Sequence, residues 1–385
     1  MSTHGRRNCP GVCILALALA ASALCHLHAT AGAADQLPVT ERDGVRFVDA
    51  QYLGIEGRGW PAADLAAPFD RLPLKAQGKV RPDVWNLSRH AAGLCVRFVA
   101  DTPAIHARWT LTSAQLAMKH MPATGVSGLD LYARDDAGQW RWVACGIPNA
   151  DGQEQAGVVA DGLSLGKREW LLYLPLYNGV SQVEIGVPAG ATLEKAPAYV
   201  GDREKPIVFY GTSITQGACA SRPGMCHTAI LHRRYGRPVV NLGFSGNGQM
   251  ELELGGLLTE IDAAAYVIDC CPNLDAADIS ARTGPLVEIL RKSRPTTPIL
   301  LVEDRRSTDG WIRPSKKAHN DANHAALRTA FDGLVATGVT GLHYLGGDDL
   351  LAEDGEGTVD SSHPTDLGFV DHAKAFASVL DPLVR

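Results

Sequence analysis

The chain has little of several features that would place it in a special class of protein. Only 20% of its residues are charged and 6% are aromatic, whereas 45% are apolar. This composition excludes a disordered or fibrous chain and is typical of a globular protein with full cores. With 385 residues, the sequence is long enough for two domains of about 150 residues each.

Positive charge is also scarce. The chain has 36 Lys and Arg residues against 42 Asp and Glu residues, which gives a formal net charge of −6. Surfaces that bind nucleic acids are strongly basic. The charge therefore excludes nucleic acid and other polyanions as expected partners.

Long apolar runs are missing except near the N-terminus. Residues 12–24 form an apolar run that follows Arg6 and Arg7, and this run is shorter than the roughly 20 residues of an anchoring helix. Together with the small residues that follow it, the run predicts a signal peptide over residues 1–34, cleaved near Ala33 or Ala34. We therefore expect a periplasmic or secreted protein with no membrane insertion after cleavage.

Cysteine spacings typical of metal sites are missing as well. The nine cysteines show no ligand pattern for a metal ion, so neither a metal nor a cofactor is expected. Disulfides are permitted in an exported protein, and Cys219 with Cys226 is a candidate loop-closing pair. Cys25 follows the bulky Leu24, which fits lipoprotein processing poorly.

The first half of the chain reads as strands. Short runs, often alternating, are bounded by Gly, Pro, Asp or Asn, and no strong helical period interrupts them. The predicted strands are residues 45–48, 94–99, 105–111, 129–133, 140–143, 170–175 and 183–187. Residues 135–138 look like a hairpin turn between two of them. We expect an all-β jelly-roll sandwich over residues 35–200.

After residue 206 the pattern changes to strands that alternate with helices. The predicted strands are residues 207–210, 239–242, 266–269 and 299–302, and the predicted helices are residues 228–235, 278–291 and 319–337. This alternation is typical of a doubly wound parallel sheet. We therefore expect a second, α/β domain over residues 201–385, in which ligands bind beyond the carboxyl ends of the strands.

Four polar segments are expected to meet at that edge of the sheet: residues 211–214, 243–248, 272–275 and 360–364. Ser213 follows a buried strand and a glycine, although a serine at such a place is often only part of a turn or a helix cap. Asp360 and His363 are three residues apart, which lets them present a carboxylate and an imidazole together. The same spacing also occurs in helix caps and in pairs of metal ligands.

In this order, the four segments resemble the motifs of the SGNH, or GDSL-type, serine hydrolases. Thr212 stands where the GDSL name has Asp, and Leu274 stands where the family has Asp after its conserved asparagine, here Asn273. Residues 128–132 and 174–180 extend the resemblance to a subgroup with an N-terminal jelly-roll domain. The resemblance thus covers nearly all of the mature chain and implies a flavodoxin-like catalytic domain.

The resemblance also implies a role for each motif residue. Ser213 is expected to attack an acyl carbonyl, His363 to take and return its proton, and Asp360 to hold the imidazole. The oxyanion is expected to be met by the backbone N–H groups of Ser213 and Gly246 and by the side-chain amide of Asn273.

The function implied is that of a secreted serine esterase that removes short acyl groups, acetyl above all, from carbohydrates. An O-acyltransferase with the same triad and a carbohydrate-binding protein with secondary esterase activity remain alternatives. A lipase is favoured less, because no amphipathic membrane-binding helix is evident. The expected partner is an acylated carbohydrate or another small ester, and the sequence leaves the oligomeric state open.

Further candidates for substrate binding lie near the same edge of the sheet. They are Arg222, His227 and Glu303, the last within the charged cluster 303–306. Each also fits an ordinary role in a solvated loop, a helix or a surface ion pair. Stacking on sugars is open to the tryptophans of the first half, although tryptophan in such a domain is more often in the core: Trp85, Trp109, Trp140, Trp142 and Trp170.

Overall fold

The structure is a computed structural model that describes residues 37–149 and 152–384. The predicted signal peptide, residues 1–34, lies outside the described residues. Within the described part of the chain, no helix is both long and apolar enough to cross a membrane.

Antiparallel sheets dominate the first half. Its strands are β1 Thr40–Arg42, β2 Val45–Asp49, β3 Ile55–Glu56, β4 Cys95–Asp101, β5 Ile105–Leu111, β6 Leu129–Arg134, β7 Trp140–Gly146, β8 Glu154–Ala160, β9 Arg168–Tyr173, β10 Val180–Pro188 and β11 Thr192–Lys195. The short helices are α1 Ala50–Leu53, α2 Pro82–Leu87 and α3 Ala123–Val126. One sheet has the order β1-β2-β10-β5-β8, and the other has the order β11-β4-β9-β6-β7, with β3 paired to β4.

Alternating side chains build the core between these sheets. Along β5, every second residue is buried, from Ile105 to Leu111, because successive side chains of a strand point to opposite faces. These residues share one apolar core with Phe98 of β4 and Leu172 of β9. The predicted hairpin turn is confirmed, since Asp135 N–H donates to Gln139 O (2.9 Å) between β6 and β7.

A parallel sheet flanked by helices forms the second half. Its strands are β12 Ile207–Gly211, β13 Val239–Gly243, β14 Ala265–Asp269, β15 Ile299–Val302 and β16 Leu342–Leu345. Its helices are α4 Ser213–Gln216, α5 His227–Tyr235, α6 Leu252–Leu258, α7 Ala276–Ser293, α8 Pro314–Ala336 and α9 Asp366–Val384. The strand order is β13-β12-β14-β15-β16 and every pairing is parallel. The predicted fold class, antiparallel sheets followed by a parallel sheet flanked by helices, is confirmed.

Both faces of the parallel sheet are buried. Val208 and Tyr210 of β12 pack on one side with residues of α6, α7 and α8, whereas Ile207 and Phe209 pack on the other side with α5 and α9. The strand order reverses direction between β12 and β14, and such a reversal opens a crevice at the carboxyl ends of the strands. The residues that follow β12 and β14 therefore lie at this crevice.

Part of the first half packs against the parallel sheet. Trp60, Leu72 and Val84 belong to the same apolar core as strand β12. The buried guanidinium of Arg71 donates to the carbonyl oxygens of Asn241 (3.0 Å) and Gly243 (2.8 Å) at the end of β13. From Leu37 onward the chain forms one compact unit.

The cysteines of the described residues are all free thiols, so the candidate Cys219–Cys226 disulfide is not formed. Instead, Cys226 Sγ lies 3.6 Å from Thr215 O and 3.3 Å from Thr228 Oγ1. Its thiol is thus directed toward α4 and α5.

Candidate active site

The short helix α4 carries Ser213 directly beyond strand β12. Gly211 ends the strand, and a Cβ atom there would lie 2.1 Å from Thr215 Oγ1, so the turn is too tight for a larger residue. Thr212 caps the helix, since its hydroxyl accepts from Ile214 N–H (3.3 Å). Gly217 ends it in the left-handed region with φ +116°. Ser213, at the first helical position, is only 8% exposed.

A hydrogen-bonded chain joins Ser213 to the loop before α9. Ser213 Oγ lies 2.9 Å from His363 Nε2, and His363 Nδ1 lies 2.8 Å from Asp360 Oδ2. An ionised carboxylate only accepts hydrogen bonds, so His363 Nδ1 carries the proton that faces Asp360. His363 Nε2 is then the acceptor for the Ser213 hydroxyl.

The carboxylate of Asp360 is fixed by the loop that carries it. Its Oδ1 atom accepts from the backbone N–H groups of Ser362 (3.1 Å) and His363 (2.8 Å). Partial burial raises the pKa of Asp360, but the hydrogen bonds from the backbone and imidazole of His363 outweigh it and lower the pKa below its ordinary value. Asp360 is therefore a carboxylate at neutral pH, as the proposed hydrogen-bonded chain requires.

Arg305 supports the loop that carries Asp360 and His363. Its buried guanidinium donates to Ser362 O (Nε, 3.0 Å) and to the Ser362 hydroxyl, and it pairs with Asp304. Burial lowers the pKa of Arg305 to about 10, while Asp269 and Asp360 raise it. Arg305 thus remains cationic at neutral pH and places a buried positive charge beside the loop of Asp360.

The loop after β13, residues 244–248, packs against the turn of Ser213. Phe244 N–H donates to Gly211 O (3.0 Å), and Ser245 N–H donates to Gln216 Oε1 (3.0 Å). Gly246 has φ +69°, a conformation that favours glycine, and nothing lies within 4 Å of the position of a Cβ atom there. The backbone of this loop is therefore held against α4, with open space at Gly246.

Asn273 joins the loop after β14 to the loop after β13. With its amide oriented to satisfy its neighbours, Asn273 Oδ1 accepts from the backbone N–H groups of Asn247 (3.0 Å) and Gly248 (3.2 Å). The amide nitrogen is then left as the donor. The structure thus brings Ser213, Asp360 and His363 into direct contact and links the loops of Gly246 and Asn273 to them.

A buried carboxyl group lies next to the turn that carries Ser213. Asp269 ends strand β14, and its Oδ2 atom accepts from Thr215 Oγ1 at 2.7 Å. Burial raises the pKa of Asp269 to about 7, against the lowering effects of the Thr215 hydrogen bond and the charge of Arg305. The sequence does not mark Asp269 as part of the site, because it is the last residue of a predicted buried strand.

Structural partners engage the three further substrate-binding candidates. Arg222 Nη1 donates to Asp130 Oδ2 (2.7 Å) of the first half. His227 is fully buried and stacks between the rings of Phe369 and Phe376, 5.7 and 5.1 Å away.

Glu303 is also buried, and its carboxylate accepts from the Tyr344 hydroxyl and from Gly347 N–H (2.7 Å). The structure therefore does not bring Arg222, His227 and Glu303 together as one group. Each side chain is packed in a different part of the fold.

The first half contributes one side chain that the sequence analysis missed. His120 lies in the turn between Met118 and Met121, whose backbones are paired (3.0 and 3.2 Å). Its ring lies edge-on to His363, with the ring centroids 5.7 Å apart. No spacing in the sequence marks this histidine, because the contact joins residues more than two hundred positions apart.

Two family models match the chain. Residues 204–381 match the GDSL-like Lipase/Acylhydrolase family, and residues 45–193 match a model described as the N-terminus of the SGNH-hydrolase type of esterase. The two matches fall on the parallel-sheet half and on the antiparallel half. No curated protein matches the chain in sequence.

Solved structures with the same fold include enzymes of several kinds. A protein described as a GDSL-like lipase from Bacteroides ovatus is 34% identical over 88% of this chain and 98% of its own, with a TM-score of 0.82. The salicylyl-acyltransferase SsfX3 of a tetracycline biosynthetic pathway is 20% identical over 90% and 94%, with a TM-score of 0.64. A family two carbohydrate esterase from Clostridium thermocellum, in complex with cellohexaose, is 15% identical over 76% and 93%, with a TM-score of 0.50.

Proposed function

Because the chain belongs to the GDSL-like lipase/acylhydrolase family of SGNH-type esterases, we propose that it is a serine esterase that removes short acyl groups, acetyl above all, from carbohydrates. The observation that carries the proposal is the chain of hydrogen bonds Ser213–His363–Asp360, at 2.9 and 2.8 Å. In this proposal residues 1–34 direct export to the periplasm or the medium, residues 35–200 form an accessory domain and residues 201–385 form the catalytic domain.

Acylation begins at the Ser213 hydroxyl. Ser213 Oγ forms a bond to the carbonyl carbon of the ester while its proton passes to His363 Nε2. Asp360 accepts from Nδ1 and stabilises the resulting imidazolium. When the tetrahedral intermediate collapses, the bond to the sugar oxygen breaks, and that oxygen takes the proton from Nε2. Water then repeats the sequence on the acyl-serine and releases the acid.

Three donors are assigned to the oxyanion of the tetrahedral intermediate. They are the N–H of Ser213 at the N-terminus of α4, the N–H of Gly246 and the side-chain amide of Asn273. Two of them lie on loops that are hydrogen-bonded to each other, which supports a preorganised arrangement. Donors that are already in place need no reorganisation during the reaction.

An exposed aromatic side chain supports a carbohydrate as the substrate. Trp311 is 82% exposed and lies in the loop between β15 and α8. This loop is bound to the loop of the triad, because Thr308 N–H donates to Ser361 O (3.2 Å). An indole ring has a flat apolar face and a polar N–H, which suits it to stack on a sugar.

The triad is tested with an aryl acetate and the variants Ser213→Ala and His363→Ala. Each variant should lose nearly all hydrolysis while its circular dichroism spectrum and melting temperature stay those of the parent. A fluorophosphonate probe should label the parent and fail to label Ser213→Ala. Full activity in Ser213→Ala would overturn the assignment of the nucleophile.

The substrate is tested with acetylated plant and bacterial polysaccharides. We expect the parent to release acetate from at least one of them and the Ser213→Ala variant to release none. Adding free sugar as an acceptor separates hydrolysis from transfer, because a transferase yields acylated sugar in place of acetate. Detection of acylated sugar would show that the protein is an acyltransferase with the same triad and not a hydrolase.

Trp311 is expected to act on polymeric substrates alone. Trp311→Ala should raise KM for the acetylated polysaccharide severalfold and leave kcat and KM for the aryl acetate unchanged. Trp311→Phe should keep most of the affinity for the polysaccharide, because it keeps an aromatic ring. Stacking between two aromatic rings contributes about 0.5–1.5 kcal/mol, and a similar loss would give a severalfold change in KM. Equal KM values for parent and Trp311→Ala on the polymer would contradict a sugar-binding role for this ring.

A further inference from the structure

The turn that carries His120 is held rigidly beside the triad. Met121 is buried in an apolar cluster with Ile214 and Cys219, the cluster that surrounds the nucleophile turn. The helix that follows it, α3, is docked on the same surface, since Thr124 Oγ1 donates to Ser221 O at 2.6 Å. Met118, on the other side of His120, also packs against this cluster, so residues on both sides of His120 hold the turn against the second half.

Three metal-binding side chains meet at this place. His120, Asp360 and His363 each offer one ligand atom, and these atoms all lie within 4.8 Å of one another. Two imidazoles and one carboxylate are ligands that Zn²⁺ prefers, and three protein ligands with an open fourth position form a common zinc site. Asp360 and His120 are exposed, so an ion from solvent has access to them.

The other group of donors in the described residues is unlike this one. It surrounds His232, whose Nδ1 lies 2.9 Å from the Tyr173 hydroxyl and whose Nε2 lies 3.0 Å from the Tyr199 hydroxyl. Its carboxylate, Glu56, accepts from Arg97 at 2.9 Å. His232 and Cys95 of that group are buried, so, unlike His120 and Asp360, they are not open to an ion from solvent.

We propose that His120, Asp360 and His363 form an inhibitory site for Zn²⁺ that lies between the two halves of the chain. Its inhibitory effect rests on the proposed function of Ser213, His363 and Asp360. Both ring nitrogens of His363 already serve the triad, one toward Ser213 and the other toward Asp360. A zinc ion on either nitrogen replaces one of these hydrogen bonds and stops proton transfer by the imidazole.

Inhibition by Zn²⁺ tests the proposal. Hydrolysis of an aryl acetate is measured while Zn²⁺ is titrated, and each rate is divided by the metal-free rate of the same variant. We expect EDTA to restore the parent, and His120→Ala to need at least about 10-fold more Zn²⁺ for half inhibition, since loss of even a residue that only orients a zinc ligand costs about 10–100-fold in affinity. Mg²⁺ should not inhibit, because it prefers oxygen ligands.

The control is His106→Ala, which removes a half-buried histidine of strand β5 that packs against Phe47. It should respond to Zn²⁺ as the parent does. An uninhibited parent, or equal inhibition of the parent and His120→Ala, would overturn the proposal.

Calorimetric titration with Zn²⁺ measures the site without using activity. We expect the parent and His106→Ala to bind alike and His120→Ala to bind about 10-fold more weakly or not at all. If the protein hydrolyses no ester but still shows this difference in Zn²⁺ binding, the proposed metal site stands and the proposed esterase function is overturned. Equal binding by the parent and His120→Ala would overturn the site alone.

Discussion

Among single residues, Asn273 is the one whose side chain alone supplies a donor for the oxyanion in the proposed mechanism. Asn273→Ala should lower kcat of ester hydrolysis by about 10²–10³ with little change in KM, because the donor acts on the charge that develops in the transition state. Steady-state kinetics with an aryl acetate measure both constants. A raised KM with an unchanged kcat would instead assign Asn273 to substrate binding.

Asp269 is expected to make stability depend on pH. Its pKa is raised from an ordinary 3.8 to about 7 by burial, so the folded state holds a proton that the unfolded state has lost. The free energy of unfolding therefore falls as pH rises from about 4 to 7, by up to about 1.4 kcal/mol per pH unit from this group. Above pH 7 both states have lost the proton and the effect stops.

The variant Asp269→Asn isolates this contribution. It keeps an oxygen that can accept from Thr215 and removes the titration. Urea unfolding of the parent and the variant at several pH values gives the difference between their free energies of unfolding. The free energy of unfolding of the parent, relative to that of the variant, should fall from pH 4 to pH 7 and then stay constant. A difference that does not change with pH would show that Asp269 is charged throughout.

The predictability of the site differs between its residues for a physical reason. Ser213 and His363 lie in short segments whose order along the chain is itself informative, so a motif marks them. Asp269, Arg305 and His120 act through residues far away in sequence, and their burial, charge and ring contacts exist only in the folded chain. No local pattern indicates such roles.

At the level of elements, the strands that sequence predicts best are those with a regular apolar pattern, which alternates in β5 and is unbroken in β12. The edge strand β8 was missed because most of its side chains are exposed. Helix α6 was missed because it contains Gly255 and Gly256, which are poor helix formers. At Gly255 a Cβ atom would lie 2.7 Å from Leu286 Cδ1, so the glycine lets this side chain of α7 pack closely against α6.

The loop after β13 depends on a close contact between two backbones. A Cβ atom on Gly248 would lie 1.8 Å from Gly211 O, so Gly248→Ala should push this loop away from the nucleophile turn. We expect a loss of about 1–3 kcal/mol in the free energy of unfolding, the usual cost of overpacking, together with a fall in kcat. Urea unfolding and steady-state kinetics measure the two effects.

The matched control for that substitution is Gly256→Ala in helix α6. Nothing lies within 4 Å of a Cβ atom there, and alanine favours the helix by about 0.5–1 kcal/mol over glycine. This variant should be as stable as the parent or more stable, with unchanged kcat. Similar stability and kcat of the two alanine variants would mean that the loop after β13 accommodates the added Cβ atom without loss of stability or activity.

At the scale of the whole molecule, the two halves are joined by more than a linker. Trp60, Leu72 and Val84 come from the first half and lie in the core beneath the parallel sheet. The pattern of short strands between residues 36 and 197 does not reveal this, because an apolar side chain does not indicate which sheet it will cover. We infer that the folding of the two halves is coupled through this segment.

Arg71 is the strongest test of that coupling. Its guanidinium is 1% exposed and donates to the carbonyl oxygens of Leu87, His90, Asn241 and Gly243. Burial lowers its pKa to about 9, so it is still cationic at neutral pH. Arg71→Ala should cost about 3 kcal/mol or more, since four carbonyl oxygens lose a charged donor and a hydrogen bond to a charged group contributes about 1.5–3 kcal/mol.

Lys75→Ala is the matched control for Arg71→Ala, because Lys75 also joins the first half to the second. Its ammonium pairs with Glu260 at 2.8 Å, but the two side chains are 48% and 37% exposed, and pairs in such positions contribute at most about 1 kcal/mol. We expect urea unfolding to show a large loss of stability for Arg71→Ala and almost none for Lys75→Ala.

Ester hydrolysis should fall only in Arg71→Ala, because Arg71 holds the end of β13, from which the loop of Gly246 begins. Equal losses of stability would mean that the segment is held by its apolar side chains and not by the buried guanidinium.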